Sequence, residues 1–210
     1  MDSGGASRRP LKTRSAGWAQ STARYLARTS LTPNQISVAS VLFAAIGAGA
    51  LLRLEAPGSL LVCAACIQLR LLCNMLDGMV AVEGGKGSPV GVLYNELPDR
   101  VADSLFIVCV GYAVLVPWLG WCSALLAALT AYIRATGGAL GLPQDFRGPM
   151  AKPHRMAVLT AGCLLGSLEA LIWHSHLVLL IAESLVGLGS LLTCVTRTRA
   201  IAQQLQSRPA

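Results

Sequence analysis

Residues 59–80 read SLLVCAACIQLRLLCNMLDGMV, with Arg70 and Asp77 as their only formal charges. A helix needs about 20 apolar residues to cross roughly 30 Å of hydrocarbon, so this run predicts a membrane span. Working outward, comparable runs occur at roughly 35–52, 91–116, 119–138, 157–173 and 177–195. The breaks between them fall at Pro57-Gly58, Gly84 to Pro89, Pro117, Gly141 to Pro153, and His174 to His176. The fold class read from this pattern is all-α: a polytopic membrane protein with six transmembrane helices. The third run holds several acids at its start, so its first turns are expected to project into the cytoplasm. No internal repeat stands out.

The composition agrees. Of 210 residues, 54% are apolar and 13% charged, against about 25% charged in a typical soluble domain. A mean hydropathy of +0.58 excludes intrinsic disorder and argues against a soluble globule. The net charge of +7 does not point to nucleic acid, because aromatics are 5% of the chain and are not interleaved with the bases. A positive excess in so apolar a chain fits cytoplasmic loops beside anionic lipid. The seven cysteines lie in or beside the apolar runs and read as small packing residues. Cys63-x2-Cys66 has no second pair to make a zinc site.

The amino-terminal stretch carries Arg8, Arg9, Lys12 and Arg14 with no apolar core directly after it, which is not the pattern of a secretory leader. A disordered basic tail is the plainer alternative for residues 1–14. Next, Trp18, Ala19, Ala23, Tyr25, Leu26 and Ala27 alternate with Gln20, Arg24 and Arg28. This spacing predicts a short amphipathic helix lying in the membrane interface. Thr32 then offers an N-cap and Pro33 a first helical position. Three regions follow: a basic segment with the interfacial helix over 1–30, the six-helix domain over 31–198, and a cytoplasmic tail over 199–210.

Lysine and arginine set the orientation. Six lie in the amino-terminal segment, Lys86 lies in the second loop, Arg147, Lys152 and Arg155 lie in the fourth, and Arg197, Arg199 and Arg208 lie at the end. The opposite side has only Arg53. Both termini and the acid-bearing ends of the helices are therefore expected on the cytoplasmic face of a bacterial-type inner membrane.

Five of the ten acids fall between positions 77 and 103: Asp77, Glu83, Glu96, Asp99 and Asp103. Carboxylates at membrane depth are costly, so a cluster is a functional candidate. Gly91, Asn95, Asp99 and Asp103 recur every four residues on one helical face, and Asn74 and Asp77 share a face at i, i+3. Two such helices, facing each other, would present oxygen ligands, which suit Mg²⁺ or Mn²⁺ better than zinc. Two other readings remain open. Asp99, Asp103, Arg70 and Arg100 form an ion-pair network that staples two spans, or the acids line a proton or cation pathway.

Asp77-Gly78-x2-Ala81, nine residues, then Gly91-x3-Asn95-x3-Asp99 resembles the signature of the CDP-alcohol phosphatidyltransferases, D-x2-D-G-x2-A-R-x8-G-x3-D-x3-D. The likeness is gapless from Asn74 to Asp99. Leu31-Thr32-Pro33-Asn34-Gln35-Ile36-Ser37 is similar to the segment that opens the first span in that family. Tyr132-x-Arg134-Ala135 and the polar loop to Arg155 look like its acceptor-side region. This chain departs from the pattern at Asn74 and Asn95, where the family has acids, and at Val82, where it has arginine. A shifted register, with Asp99 and Asp103 as the last two acids, needs one extra helical turn and puts Asn95 where glycine belongs. Ser88-x-Val90-Gly91 favours the gapless register.

The resemblance implies an enzyme that displaces CMP from a CDP-linked lipid, of the CDP-diacylglycerol type, by the hydroxyl of a polar alcohol, phosphorylated or not. It implies Asn74, Asp77, Asn95 and Asp99 at a site for Mg²⁺ or Mn²⁺, with Asp99, or Asp103 in the shifted register, as the base. Asp77, Gly78, Ala81 and Gly91 would give room to the nucleotide. Arg134, Arg147, Lys152, His154 and Arg155 would bind the acceptor. Loop bases of ordinary positive-inside topology are the plain alternative for Arg147 and Lys152. A homodimer is expected from the likeness alone. The rival functions are a catalytically impaired lipid- or nucleotide-binding protein, suggested by Asn74, Asn95 and Val82, and a small transporter. His174 and His176 read as interfacial residues, Glu183 as a partner for Arg70 or an interhelical hydroxyl, and Gly47, Gly49, Gly187 and Gly189 as helix-packing surfaces.

Overall fold

The structure is a computed structural model that describes residues 16–54, 58–173 and 175–208. Arg8, Arg9, Lys12 and Arg14, the break at Pro57, and His174 lie outside the described residues. Among the described residues seven helices follow one another: α1 Gly17–Ala27, α2 Pro33–Leu51, α3 Ser59–Glu83, α4 Gly91–Ala113, α5 Pro117–Ala139, α6 Lys152–Ile172 and α7 Leu177–Gln206. There is no strand among the described residues.

Helix α1 is the amphipathic helix expected from its spacing. Ala19 and Ala23 are fully buried against Met75, Leu76, Met79 and Val80 of α3 and Ile36 of α2, while Trp18 and Tyr25 stay exposed. At the start of α2 the Thr32 hydroxyl accepts from the Gln35 N–H at 3.2 Å, and the Gln35 side chain accepts from the Thr32 N–H at 2.9 Å. This reciprocal cap satisfies two donors the helix itself cannot, and Pro33 fills the first turn. The Lys86 ammonium donates to the Thr29 carbonyl at 2.5 Å and the Leu31 carbonyl at 3.1 Å, tying the α3–α4 loop to the α1–α2 link.

Helix α2 packs against both α3 and α4, α5 against α4 and α7, and α6 against α3 and α7. The wedge made by α2 depends on Gly47, where a Cβ would stand 2.7 Å from Cys66 Cβ and from the Phe106 ring. Gly187 meets Ser123 and Gly189 meets Met150 in the same way, at 2.6 and 2.7 Å. These three behave as the packing surfaces expected of them. Gly49 does not: nothing lies within 4 Å of the Cβ position, so it is no contact surface here. Cys63, Cys66 and Cys163 are buried in the core with Ile67, Phe106 and Leu159, and all seven cysteines are free thiols.

Five helices, α2, α3, α5, α6 and α7, are long and apolar enough to cross a membrane. Helix α4 is as long as α5, at 23 residues, but Glu96, Asp99, Arg100 and Asp103 crowd its first half and lower its hydropathy. Outward-facing side chains such as Leu42, Ile46, Leu61, Leu125, Leu168, Ile181 and Leu188 are exposed and apolar, the reverse of a soluble surface. Trp118, Trp121 and Trp173 are exposed together with Tyr112, which accepts from Trp121 Nε1 at 3.4 Å, as aromatic residues do at a membrane boundary. The chain is an integral membrane protein.

Helix α7 runs to Gln206, past the apolar run that ends near 195 and into the segment expected to be a tail. Its start is capped by a residue the sequence did not mark. Glu169 accepts from the Leu177 and Val178 N–H groups, each at 2.9 Å, and from the Ser175 hydroxyl. A carboxylate at a helix amino terminus meets the exposed N–H groups and the positive end of the dipole.

Candidate active site

Helices α3 and α4 are held apart by α2 and approach each other mainly through side chains. On α3, Arg70, Asn74 and Asp77 recur at spacings of four and three and share a face. On α4, Asn95, Asp99 and Asp103 recur every four residues and share a face, and Pro98 beside Asp99 has no N–H to give to the preceding turn. The α5–α6 loop brings a third side. Its Met150 N–H donates to the Thr193 hydroxyl at 2.9 Å, and Arg197 of α7 donates to the Arg147 carbonyl at 2.9 Å and the Thr130 carbonyl at 2.6 Å. Gly148, at φ +116°, lies so close to α7 that a Cβ would stand 2.5 Å from the Thr193 methyl. The loop is thereby pinned, and α6 starts with Lys152 and Arg155 aimed at the gap.

Asp99 is the hub. Its Oδ1 accepts from Arg70 Nη2 at 3.2 Å and from the Asn74 amide, and its Oδ2 accepts from the Lys152 ammonium. Arg100 lies 3.7 Å from the same Oδ2. Asp103, one turn deeper, accepts from Arg70 Nη2 at 2.6 Å on Oδ1 and from Arg155 Nη2 at 2.9 Å on Oδ2. Arg70 has no exposed surface and Arg155 only 1%. Charges so deep are tolerated because each meets an opposite charge. Asp77 differs: Ser37 donates to Oδ2 at 2.5 Å, while Oδ1 is buried with no hydrogen-bond partner. At the rim Arg134 pairs with Glu96 at 2.7 Å, donates to Gln144 and lies 5.3 Å above the Phe146 ring.

These side chains surround a cavity of about 630 Å³. Of the residues singled out from sequence, Asn74, Asp77, Gly78, Asn95 and Asp99 line one side and Arg134, Lys152 and Arg155 the other. Ala81, Gly91, Arg147 and His154 are not part of the wall. Arg147 instead pairs with Asp145 at 2.7 Å, and His154 Nδ1 lies 2.9 Å from the Pro149 carbonyl. Asp103 lies beneath the wall, covered by its two guanidinium groups. The ion-pair network weighed as an alternative, Asp99 and Asp103 with Arg70 and Arg100, is present and extends to Lys152 and Arg155. Lys152 and Arg155 thus meet the acids and not only open cavity. Arg70 is engaged there and does not pair with Glu183, which is buried in the α5–α7 contact near Ser123.

Sequence spacing missed Trp18, Phe146 and Arg197 on the wall. The helical pattern of 17–27 placed Trp18 on a helix but not over the cavity, and nothing in the spacing links Arg197 to the α5–α6 loop. Arg100, Arg134, Lys152, Arg155 and Arg197 face Asp77, Glu96 and Asp99 across the wall, an excess of two positive charges. Such a surface suits a polyanion, with the arginine forks matching phosphate oxygens. No three His, Cys, Asp or Glu side chains among the described residues gather as a metal-binding group. Asp77, with its open oxygen, and the amide side chains of Asn74 and Asn95 share this wall, and their oxygens are the donors here that could hold a hard cation.

No family model matches the chain. The archaetidylinositol phosphate synthase of Aeropyrum pernix is 33% identical over 143 residues, covering 68% of this chain and 72% of that protein. The crystal structure of Mycobacterium tuberculosis phosphatidylinositol phosphate synthase with CDP-DAG bound superposes with a TM-score of 0.70 at 24% identity, covering 89% of this chain and 94% of that one. The same enzyme in complex with manganese and citrate gives a TM-score of 0.70 at 23% identity over 87% of this chain and 88% of that one. The helix bundle is common to this chain and the Mycobacterium tuberculosis enzyme.

Proposed function

This chain belongs to the CDP-alcohol phosphatidyltransferase family, and from that premise we propose that it transfers a lipid phosphate from a CDP-linked lipid to the hydroxyl of a phosphorylated polyol, releasing CMP. The observation that carries the reading is the cation-rich wall of Arg134, Lys152, Arg155 and Arg197 facing Asp77 and Asp99 across one cavity. The names of the relatives supply the substrate classes: an inositol phosphate as acceptor and a CDP-diacylglycerol-type donor with diacyl or archaeal-type chains.

The acceptor oxygen attacks the phosphorus that carries the lipid. The bond from that phosphorus to the oxygen bridging it to CMP breaks, and the hydroxyl proton passes to a base. Asp99 is the base in this proposal, because it lines the cavity whereas both oxygens of Asp103 are covered by Arg70 and Arg155. Lys152 holds Asp99 Oδ2 with one of its three donors and would meet the diphosphate with another, while the second lone pair of that oxygen takes the proton. Asp77, Asn74 and Asn95 would hold Mg²⁺ or Mn²⁺, which when bound draws charge from the diphosphate oxygens. Gly78 leaves space on the wall for the nucleotide. Arg134 and Arg155, joined by Arg197, take the acceptor phosphate.

Counting α4 gives six spans in this reading, an even number that would put both termini on one face, the cytoplasmic one, together with this site. Two features support it: the charges of α4 point to other charged residues of the chain, and the cationic residues gather at one end with Arg53 opposite. Helix α1 lies in the interface, its Trp18 on the cavity wall. Assembly as a homodimer rests on the family likeness alone.

The test is CMP release by purified protein in lipid nanodiscs. Release is expected only with CDP-diacylglycerol, inositol phosphate and a divalent ion together, and is expected to vanish in Asp77→Asn or Asp99→Asn while the helical content persists. Normal turnover in either variant would remove that residue from the site. A second reading, a protein that binds CDP-lipid without turning it over, is favoured by Asn74, Asn95 and Val82 and by the fully engaged Asp99. CDP-lipid binding with no CMP release under any acceptor would establish it.

A further inference from the structure

We propose that Arg70 and Lys152 supply, from the chain itself, the positive charge of a second divalent cation, so that the site takes one divalent ion, at Asp77. The proposal rests on the transferase reading above and concerns how its charge is balanced. Asp99 and Asp103 offer four carboxylate oxygens, and each is already taken by a cation of the chain: both Oδ1 atoms by Arg70, the Asp99 Oδ2 by Lys152 and the Asp103 Oδ2 by Arg155. The Asn74 amide adds a further donor to Asp99, where a carboxylate would have been a ligand. Arg70 is fully buried, one turn below Asn74, and reaches no acid but these two. Of the buried carboxylate oxygens on the cavity wall, Asp77 Oδ1 is left without a hydrogen-bond partner.

The charges of the substrates fit one ion. A CDP-lipid diphosphate carries two negative charges, and a phosphate monoester about −1.5 to −2 near neutral pH. Together they bring nearly four negative charges to a wall with an excess of two positive ones. One divalent ion closes the difference, whereas two would leave the loaded site with an uncompensated positive charge in a low-dielectric setting.

Counting bound Mn²⁺ tests this without turnover. Wild-type protein in nanodiscs, given CDP-diacylglycerol and inorganic phosphate to stand for the acceptor's charge without its hydroxyl, is titrated with Mn²⁺ and the free ion followed by electron paramagnetic resonance. One ion per chain is expected; two, or none, would overturn the proposal. The double variant Asn74→Asp/Lys152→Gln restores an acid and uncovers Asp99, and is expected to bind two. Asn95→Asp/Lys152→Gln serves the same end should the first fail to fold. A count that stays at one in a folded variant would show that Lys152 does not stand in for an ion. One bound Mn²⁺ without acceptor-dependent CMP release would sink the transferase reading and leave this one standing.

Discussion

Asp99 and Asp103 are one helical turn apart and have opposite circumstances. Asp103 is enclosed by Arg70 and Arg155, and removing one member of such a buried set leaves a charge without its partner, which costs about 3–5 kcal/mol. Asp103→Asn is therefore expected to lower stability by that order, read from chemical unfolding in detergent micelles; a loss under 1 kcal/mol would show that Arg70 and Arg155 do not depend on it. Glu96, at the rim with a 42% exposed side chain, is the contrasting case. Its pair with Arg134 contributes at most about 1 kcal/mol, but it holds Arg134 over Phe146. Arg134→Ala is expected to raise the KM for the phosphorylated acceptor several-fold more than that for the CDP-lipid, and equal changes would assign Arg134 a structural role. At this scale the acids were legible in the sequence, because carboxylates are scarce in apolar runs and recur on one face. Their partners were not. Arg70 and Asp103 are 33 positions apart, Lys152 and Asp99 are 53 apart, and helical spacing carries no information about which helix stands opposite.

The helices themselves were close to fully legible where proline or glycine marks an end. Thr32 and Pro33 start α2, Pro117 starts α5, and Gly84 ends α3, all as the sequence indicates. Thr32→Ala removes one half of the reciprocal cap and is expected to destabilise by about 1 kcal/mol in the same unfolding measurement. The end of α7 was missed for a physical reason: hydropathy falls near 195, but residues 196–206 contain no glycine or proline, so the helix continues as a polar one. The α5–α6 loop was read as a carrier of bases, and its anchoring to α7 was invisible. Gly148 holds a backbone conformation that a side chain disfavours, against a methyl that leaves no room. Gly148→Ala is expected to cost about 1–3 kcal/mol and to weaken acceptor binding through the displaced loop. Unchanged stability and unchanged KM would mean that the loop is not fixed by that contact.

For the molecule as a whole, the sequence located the bundle and one side of the cavity, and the structure supplied the closure. A run of apolar residues announces a helix, but the wedge of α2 between α3 and α4 depends on Gly47 meeting Cys66 and Phe106, a fit between helices that no single run displays. Helix α4 is the hard case, because its charges hide it from hydropathy while its partners on α3 and α6 neutralise them. Single cysteines placed at Lys86 and Arg199 in a background without native cysteines are expected to label from one side of sealed vesicles, and one at Arg53 from the other. Labelling of Lys86 and Arg53 positions from the same side would remove α3 as a span. The central claim, transfer from a CDP-linked lipid to a phosphorylated polyol, is tested most directly by the product. Proteoliposomes supplied with CDP-diacylglycerol, inositol phosphate and Mn²⁺ are extracted and their lipids weighed by mass spectrometry alongside the CMP released. One new phosphodiester lipid, still carrying the acceptor's own phosphate, is expected for each CMP; CMP formed with phosphatidic acid instead, or donor bound but left intact, would contradict transfer to the acceptor.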